Sequence, residues 1–161
     1  MDALKKILLA IALLFSVTSS RGDSFLHPFT VTSLADIHAS NAGKPFILLF
    51  WSLDCASCIK EMDGLAVTMA KYPELRLVLV ATDDIADSDQ VQTVLTKHHL
   101  QSVDSWVFAD SNVQKLRYRI DPSWFGELPR VYFYNAVHER QAQSGLLKPE
   151  QIDAWMNSMN F

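Results

Sequence analysis

The two cysteines of this 161-residue chain stand close together, where an apolar run gives way to a helical pattern. Cys55 and Cys58 follow the run FILLF at positions 46–50, which predicts a short buried strand. After them, apolar residues recur every three or four positions and predict a helix: Ile59, Met62, Leu65, Ala66 and Met69. The free N–H groups and the dipole at the start of a helix stabilise an anion, and a thiolate is an anion.

Three interpretations of the pair differ in the other groups that they require. Residues three apart on a helical turn have Cβ atoms about 5–6 Å apart, and a disulfide requires about 3.5–4.5 Å, so a small adjustment permits both redox states. A structural disulfide across so short a loop removes little chain entropy. A zinc site needs about four ligands, and the sequence has no second CxxC and no nearby HxxxH. We predict a reversible redox pair without metal or other cofactor; the structural disulfide and the metal site remain alternatives.

The first 20 residues have the features of a signal peptide. Lys5 and Lys6 precede the apolar run 7–15, and small polar residues follow it, which places a cleavage point near Ser20. The run is short for a membrane span of about 20 residues, and an uncleaved anchor is the alternative. Either way, we expect residues 21–161 to form one exported domain in an oxidising compartment, the periplasm. The net charge of −4, with no basic block, argues against nucleic acid as a partner.

Strand and helix patterns alternate along the rest of the chain. Ser33 is the predicted N-cap of a short helix that follows an edge strand within 25–32. Further elements are predicted in this order: strand 46–52, the cysteine helix to about 72, strand 75–82, a helix around 91–95, strand 105–109, helix 112–119, a hairpin of 131–134 with 139–143, and a helix from 149. Such alternation implies parallel central strands, and the hairpin adds antiparallel ones. We predict an α/β fold: a mixed sheet with helices on both faces.

The residues around the cysteines resemble the TlpA/ResA/DsbE-like group of thioredoxin-fold thiol–disulfide oxidoreductases. That group carries a pattern close to W-x-x-W-C-x-x-C-x-x-E, which Trp51, Cys55, Cys58 and Glu61 match, and Pro129 precedes the penultimate strand. The resemblance covers about residues 25–160 and implies a thioredoxin-like domain. It also implies exported proteins with cysteines, such as apocytochromes c, as substrates, and a membrane electron donor of the DsbD type.

The resemblance implies roles for residues outside the pair. Pro129 would be a cis-proline facing the cysteines, and Leu128 would pair its backbone with an extended substrate segment; a trans turn proline is the alternative. Glu61 would manage the proton of Cys58, or be a solvated helix carboxylate. Trp51 is expected to pack beneath the motif.

The loop before Pro129 is unusually aromatic. Trp124 and Phe125 are either core residues or part of an exposed patch that binds substrate proteins. This loop supports a second class of function, a binding or chaperone-like module that uses the Trp124–Pro129 surface. A thiol peroxidase is a third class, but peroxidases need a thiolate activated by neighbouring Thr and Arg, usually without a CxxC.

Cys55 is the predicted nucleophile, because it is nearer the helix N-terminus, and Cys58 would resolve the mixed disulfide. Three residues depart from the group: Asp54 replaces an aromatic residue, Asp63 stands where a helix-kinking proline is common, and Arg130 replaces threonine. The charge of Asp54 should raise the pKa of the adjacent thiol. A less stabilised thiolate makes the reduced protein a better reductant, so we expect a reductase rather than a strong oxidant.

Overall fold

The alternating patterns produce one mixed sheet in the computed structural model, which describes residues 25–159. The strands are β1 Leu26–Phe29, β2 Phe46–Trp51, β3 Leu77–Asp84, β4 Asp104–Phe108, β5 Arg130–Tyr134 and β6 Arg140–Ser144. The α-helices are α1 Ser33–Ser40, α2 Ala56–Lys71, α3 Ser88–Lys97, α4 Val113–Ile120 and α5 Pro149–Ser158, and a 3₁₀ turn, Ile85–Asp87, precedes α3. The predicted signal peptide, with its alternatives of cleavage and anchoring, lies outside the described residues.

Strand β2 lies near the centre of the sheet, whose strand order is β1-β4-β3-β2-β5-β6. The four strands from β1 to β2 in that order run parallel, and β5 is antiparallel to both β2 and β6. Because β2 is paired on both edges, its position and its end are strongly constrained. The predicted mixed α/β architecture is confirmed.

Alternate residues of β2 pack into two separate cores, as the two-residue period of a strand requires. One core contains residues of α2, α3 and α5 together with Ile47, Leu49 and Trp51. The other contains residues of α1 and α4 together with Phe46, Leu48 and Phe50. Helices therefore cover both faces of the sheet, and this explains why β2 has an uninterrupted apolar sequence instead of an alternating one.

The start of α1 differs from the prediction, because Ser33 is the first helical residue and Thr32 is the N-cap. The Ser33 hydroxyl accepts a hydrogen bond from the Thr30 N–H at 2.9 Å and donates one to the Pro28 carbonyl at 3.3 Å. The prediction of Ser33 as the N-cap was therefore wrong. Its buried hydroxyl connects the helix to the end of β1 and does not cap the first turn of the helix.

A buried ion pair connects the two ends of the loop before β5. Arg130 donates to Asp121 at 2.9 Å, to the Tyr132 hydroxyl at 3.1 Å and to Ser144 at 2.9 Å. The Tyr132 hydroxyl also donates to Asp121, at 3.0 Å. Burial alone would raise the pKa of Asp121, but the hydrogen bonds from Ser123, Arg130 and Tyr132 outweigh it and hold the pKa below its ordinary value.

Replacing Asp121 by alanine should lower the free energy of unfolding by about 3–5 kcal/mol, because the buried Arg130 charge would keep, within residues 25–159, only the more exposed Glu127 carboxylate, 3.6 Å away, as a counter-charge. Urea unfolding at neutral pH measures this loss. Asp153→Ala is the matched control, since Asp153 forms an exposed ion pair with Lys71 at 2.9 Å, and it should cost clearly less. Equal losses in the two variants would contradict the proposed importance of the buried pair.

Candidate active site

Cys55 and Cys58 form a disulfide at the junction of β2 and α2, with an S–S distance of 2.04 Å and a Cα–Cα distance of 5.2 Å. Cys55 is the N-cap of α2 and is partly exposed, whereas Cys58 is 2% exposed. The Cys58 N–H lies 3.2 Å from Cys55 Sγ, and the Ser57 hydroxyl lies 3.3 Å from the same sulfur. In the reduced form these donors can stabilise a thiolate on Cys55.

A β-turn carries the chain from β2 to Cys55, and the neighbouring strand β3 holds this turn. The Cys55 N–H donates to the Ser52 carbonyl at 3.2 Å, which closes the turn. Within it, the Leu53 N–H donates to both carboxylate oxygens of Asp83 at 3.1 Å. Asp83 was not among the residues predicted for the site. The available signal was a polar residue after the apolar run 77–81, since parallel neighbouring strands end at the same edge of a sheet.

Two carboxylates lie at the turn, that of Asp54 within it and that of Asp83 against it. Burial raises the pKa of Asp83, the hydrogen bond from Leu53 lowers it, and the nearby charges of Asp54 and Asp87 raise it further. Asp54 itself is exposed and directly precedes Cys55. The negative charge expected at Asp54 is therefore joined by that of Asp83.

Pro129 lies beside the end of β2, at the same edge of the sheet as the disulfide. The Leu128–Pro129 peptide bond is cis, as the resemblance implied. Because Phe50 pairs with Arg130, the residue before Arg130 adjoins the last position of β2. Leu128 packs against both cores, and in the described part of the chain its backbone N–H and carbonyl have no hydrogen-bond partner. An unpaired backbone of this kind can in general pair with an extended segment of another chain.

The two aromatic residues of the loop differ in exposure. Trp124 is 4% exposed, lies 4.9 Å from the Phe50 ring and donates its indole N–H to the Glu127 carbonyl at 2.9 Å. Trp124 is therefore a core residue and is not available as the substrate-binding residue that we considered. Phe125 is 90% exposed, its N–H donates to the Glu127 carboxylate at 3.2 Å, and Gly126 follows it with a φ of +102°. The loop thus presents Phe125 alone of the two.

Trp51 is fully buried and Glu61 is partly buried beside the pair. The burial of Trp51 is as expected for a residue that packs beneath the motif. One oxygen of Glu61 accepts a hydrogen bond from the Leu147 N–H, and the other is buried without a partner among residues 25–159. Burial raises the pKa of Glu61 to about 7, although the Leu147 N–H lowers it. Glu61 lines a mostly apolar cavity of about 240 Å³ between α2 and the start of α5, so it is not a freely solvated carboxylate.

The described residues contain no group of three or more His, Cys, Asp or Glu side chains that could hold a metal ion. Among the helices of residues 25–159, none is both long and apolar enough to cross a membrane.

Comparison with known proteins finds likeness in structure. No family model matches the sequence, and no curated protein matches it significantly. A secreted Mycobacterium tuberculosis disulfide oxidoreductase homologous to E. coli DsbE superposes with a TM-score of 0.61 at 23% identity, over 75% of this chain and 86% of that one. StoA from Bacillus subtilis superposes at 0.56 with 20% identity, over 73% and 86%. A DsbF homologue from Corynebacterium diphtheriae superposes at 0.60 with 15% identity, over 76% of each chain. The chain therefore has the thioredoxin-like fold of thiol–disulfide oxidoreductases, with a CxxC pair at disulfide distance.

Replacing Glu61 by glutamine should stabilise the protein more at high pH than at low pH. The pKa of Glu61 in the folded protein, about 7, is above that in the unfolded chain, about 4.3. The stability contributed by protonated Glu61 is therefore fully present below about pH 4.3 and is lost as the pH rises through about 7. Because Glu61 is partly exposed, the gain of the variant over wild type should increase by only about 1–2 kcal/mol from about pH 5 to about pH 8.

Urea unfolding of both proteins at the two pH values measures this double difference. Glu150→Gln, on the exposed side of α5, is the matched control for the same chemical change. A double difference near zero for Glu61→Gln would show that Glu61 titrates as it does in the unfolded chain.

Proposed function

We propose that this chain is an exported thiol–disulfide oxidoreductase that reduces disulfides in other exported proteins. The observation that carries the proposal is the asymmetry of the pair: Cys55 is partly exposed at the N-cap of α2, and Cys58 is 2% exposed in the core. The partly exposed sulfur of Cys55 can contact a substrate disulfide, whereas the buried sulfur of Cys58 can react only with Cys55. The asymmetry therefore favours Cys55 as the nucleophile and Cys58 as the resolving cysteine.

The reaction consists of two thiol–disulfide exchanges. The Cys55 thiolate attacks one sulfur of the substrate disulfide, so that the substrate S–S bond breaks and the other substrate sulfur leaves and takes a proton. Cys58 then loses its proton and attacks Cys55 Sγ, which releases the second substrate thiol and forms the Cys55–Cys58 disulfide. The substrate gains two electrons and two protons, and the protein becomes oxidised.

Two features of the loop before β5 support a protein substrate. The unpaired backbone of Leu128 can hydrogen-bond to an extended segment that carries the substrate disulfide. Phe125 stands exposed on the same loop and can bury its ring against that partner. Ordering costs little, because the hydrogen bond from the Phe125 N–H to Glu127 already holds the loop.

The charges around the turn favour electron donation. We expect the charges of Asp54, which precedes Cys55, and of Asp83, which binds the turn before it, to oppose a thiolate at Cys55. Such opposition disfavours the reduced protein and makes it a stronger reductant. A reductase in an oxidising compartment must be reduced again, and we propose a membrane donor of the DsbD type. The M. tuberculosis protein of similar fold is secreted, which agrees with export of this chain.

Replacing Cys55 by serine should abolish reduction of insulin, and Cys58→Ser should accumulate mixed disulfides with substrate proteins. The reason is that the first exchange needs Cys55 and the release of its product needs Cys58. Non-reducing electrophoresis and mass spectrometry of the captured proteins identify the substrates, with the double variant Cys55→Ser/Cys58→Ser as control. Capture by Cys55→Ser that equals capture by Cys58→Ser would contradict the assigned roles.

A binding or chaperone-like module is the second candidate, and the exposed Phe125 is the observation that favours it. With Trp124 buried, the proposed Trp124–Pro129 surface reduces to Phe125 and the backbone of Leu128. This candidate predicts that the double cysteine variant still binds its partners while the wild type reduces no disulfide.

Replacing Phe125 by serine should raise the KM for a protein substrate about tenfold or more, because the apolar contact of one phenylalanine ring is lost. Reduction of a small synthetic disulfide should be unchanged, since that substrate does not reach the loop. Val137→Ser is the matched control: Val137 is 77% exposed but follows the opposite end of β5. A KM for the protein substrate that stays at the wild-type value would remove Phe125 from the docking surface.

A further inference from the structure

The β-turn of residues 52–55 separates the buried strand β2 from the nucleophile. Leu53 and Asp54 are its central residues, and the Cys55 N–H closes it. The Leu53 N–H takes no part in this closing hydrogen bond and donates to both oxygens of Asp83 at 3.1 Å. The acceptor comes from β3, which pairs with β2 in parallel as far as Trp51, so the turn is tied to the sheet itself.

The end of β3 is irregular where it meets the turn. The pairing of β3 with β4 shifts its register between Ala81 and Asp84. The two residues between them, Thr82 and Asp83, hydrogen-bond through their side chains to the end of β2 and the turn that follows it. The Thr82 hydroxyl donates to the Trp51 carbonyl at 3.3 Å. Such irregularities commonly redirect side chains beside active sites.

We propose that Asp83 is a positioning residue for the attacking thiol. Its carboxylate holds the Leu53 amide, which fixes the turn and thereby the direction of Cys55 Sγ at the start of α2. Thiol–disulfide exchange needs the attacking sulfur in line with the S–S bond, so a turn that is held before the substrate arrives increases the reaction rate. This inference deepens the proposed function and rests on it.

Two variants separate the hydrogen bond of Asp83 from its charge. Asp83→Asn keeps an oxygen that can accept from Leu53 but removes the charge, whereas Asp83→Ala removes both. Asp89→Asn is the control for the change in net charge, because Asp89 is exposed on α3. All variants carry Cys58→Ser, so that Cys55 is the one reacting thiol.

The rate of reaction with an uncharged disulfide, 4,4′-dithiodipyridine, is measured as a function of pH. The limiting rate at high pH reports the orientation of Cys55, and the midpoint reports its thiol pKa. Asp83→Ala should lower the limiting rate by about 5- to 100-fold, and Asp83→Asn should keep it within about twofold of the parent. The midpoint of Asp83→Asn should fall by about 0.5–1 pH unit because a like charge is removed. Asp89→Asn should match the parent in limiting rate.

A purely structural role of Asp83 would change stability and leave the limiting rate unchanged. Equal limiting rates in Asp83→Ala and the parent, or a loss in Asp83→Asn as large as that in Asp83→Ala, would overturn the proposal. If Asp83→Ala does not fold, Leu53→Pro removes the same hydrogen bond from the donor side, because proline has no backbone N–H. The turn should accept this substitution, since proline is favoured at its first central position. The Leu53→Pro variant should show the same loss, and a parental rate would overturn the proposal.

The small disulfide needs no docking surface, so this measurement stands even where no protein substrate is reduced. If the proposed function is wrong, the wild type will not reduce protein disulfides, although Cys55 will still react normally with the small disulfide. Failure of the positioning role would appear as normal thiol chemistry in Asp83→Ala.

Discussion

Strand β2 is buried on both faces and paired on both edges, so the point at which it ends determines where the disulfide lies. A shift of register by one residue, or a rotation of the strand, would move each β2 side chain to the opposite face of the sheet and into the other core. The segments that surround Cys55 are consequences of this placement. Pro129 comes from the antiparallel neighbour β5, Asp83 comes from the parallel neighbour β3, and α2 begins at Cys55 itself.

Opposing electrostatic effects meet at Cys55. The first turn of α2 favours a thiolate through its N–H groups and its dipole, by about 0.3–2 kcal/mol. Carboxylates at Asp54, next to Cys55 in the chain, and at Asp83, which binds the turn before it, disfavour the same thiolate by an energy on the order of 1 kcal/mol or more. Because these energies are similar, the reduction potential of the pair depends on a small difference between them. The two carboxylates set the sign that we propose, toward electron donation.

The fold could be predicted from the sequence to a large extent, whereas the surroundings of the pair could not. The apolar run of β2 and the three- and four-residue spacing in α2 are local signals, and the structure has both elements within a few residues of their expected bounds. Ser33 failed as an N-cap because its hydroxyl found partners at the end of β1. Trp124 and Phe125 are adjacent and equally apolar in sequence, but only closure of the loop onto Phe50 decides which ring is buried.

The sequence by itself determined the strand-to-helix junction, the spacing of Cys55 and Cys58, and the order of strands and helices, because each follows from residues close together in the chain. The tertiary structure decided which residues serve that junction. The hydrogen bond from Leu53 to Asp83 spans 30 positions, and that from Leu147 to Glu61 spans 86. Such contacts depend on the strand order and register of the sheet, which bring distant residues together, and no local periodicity contains that information.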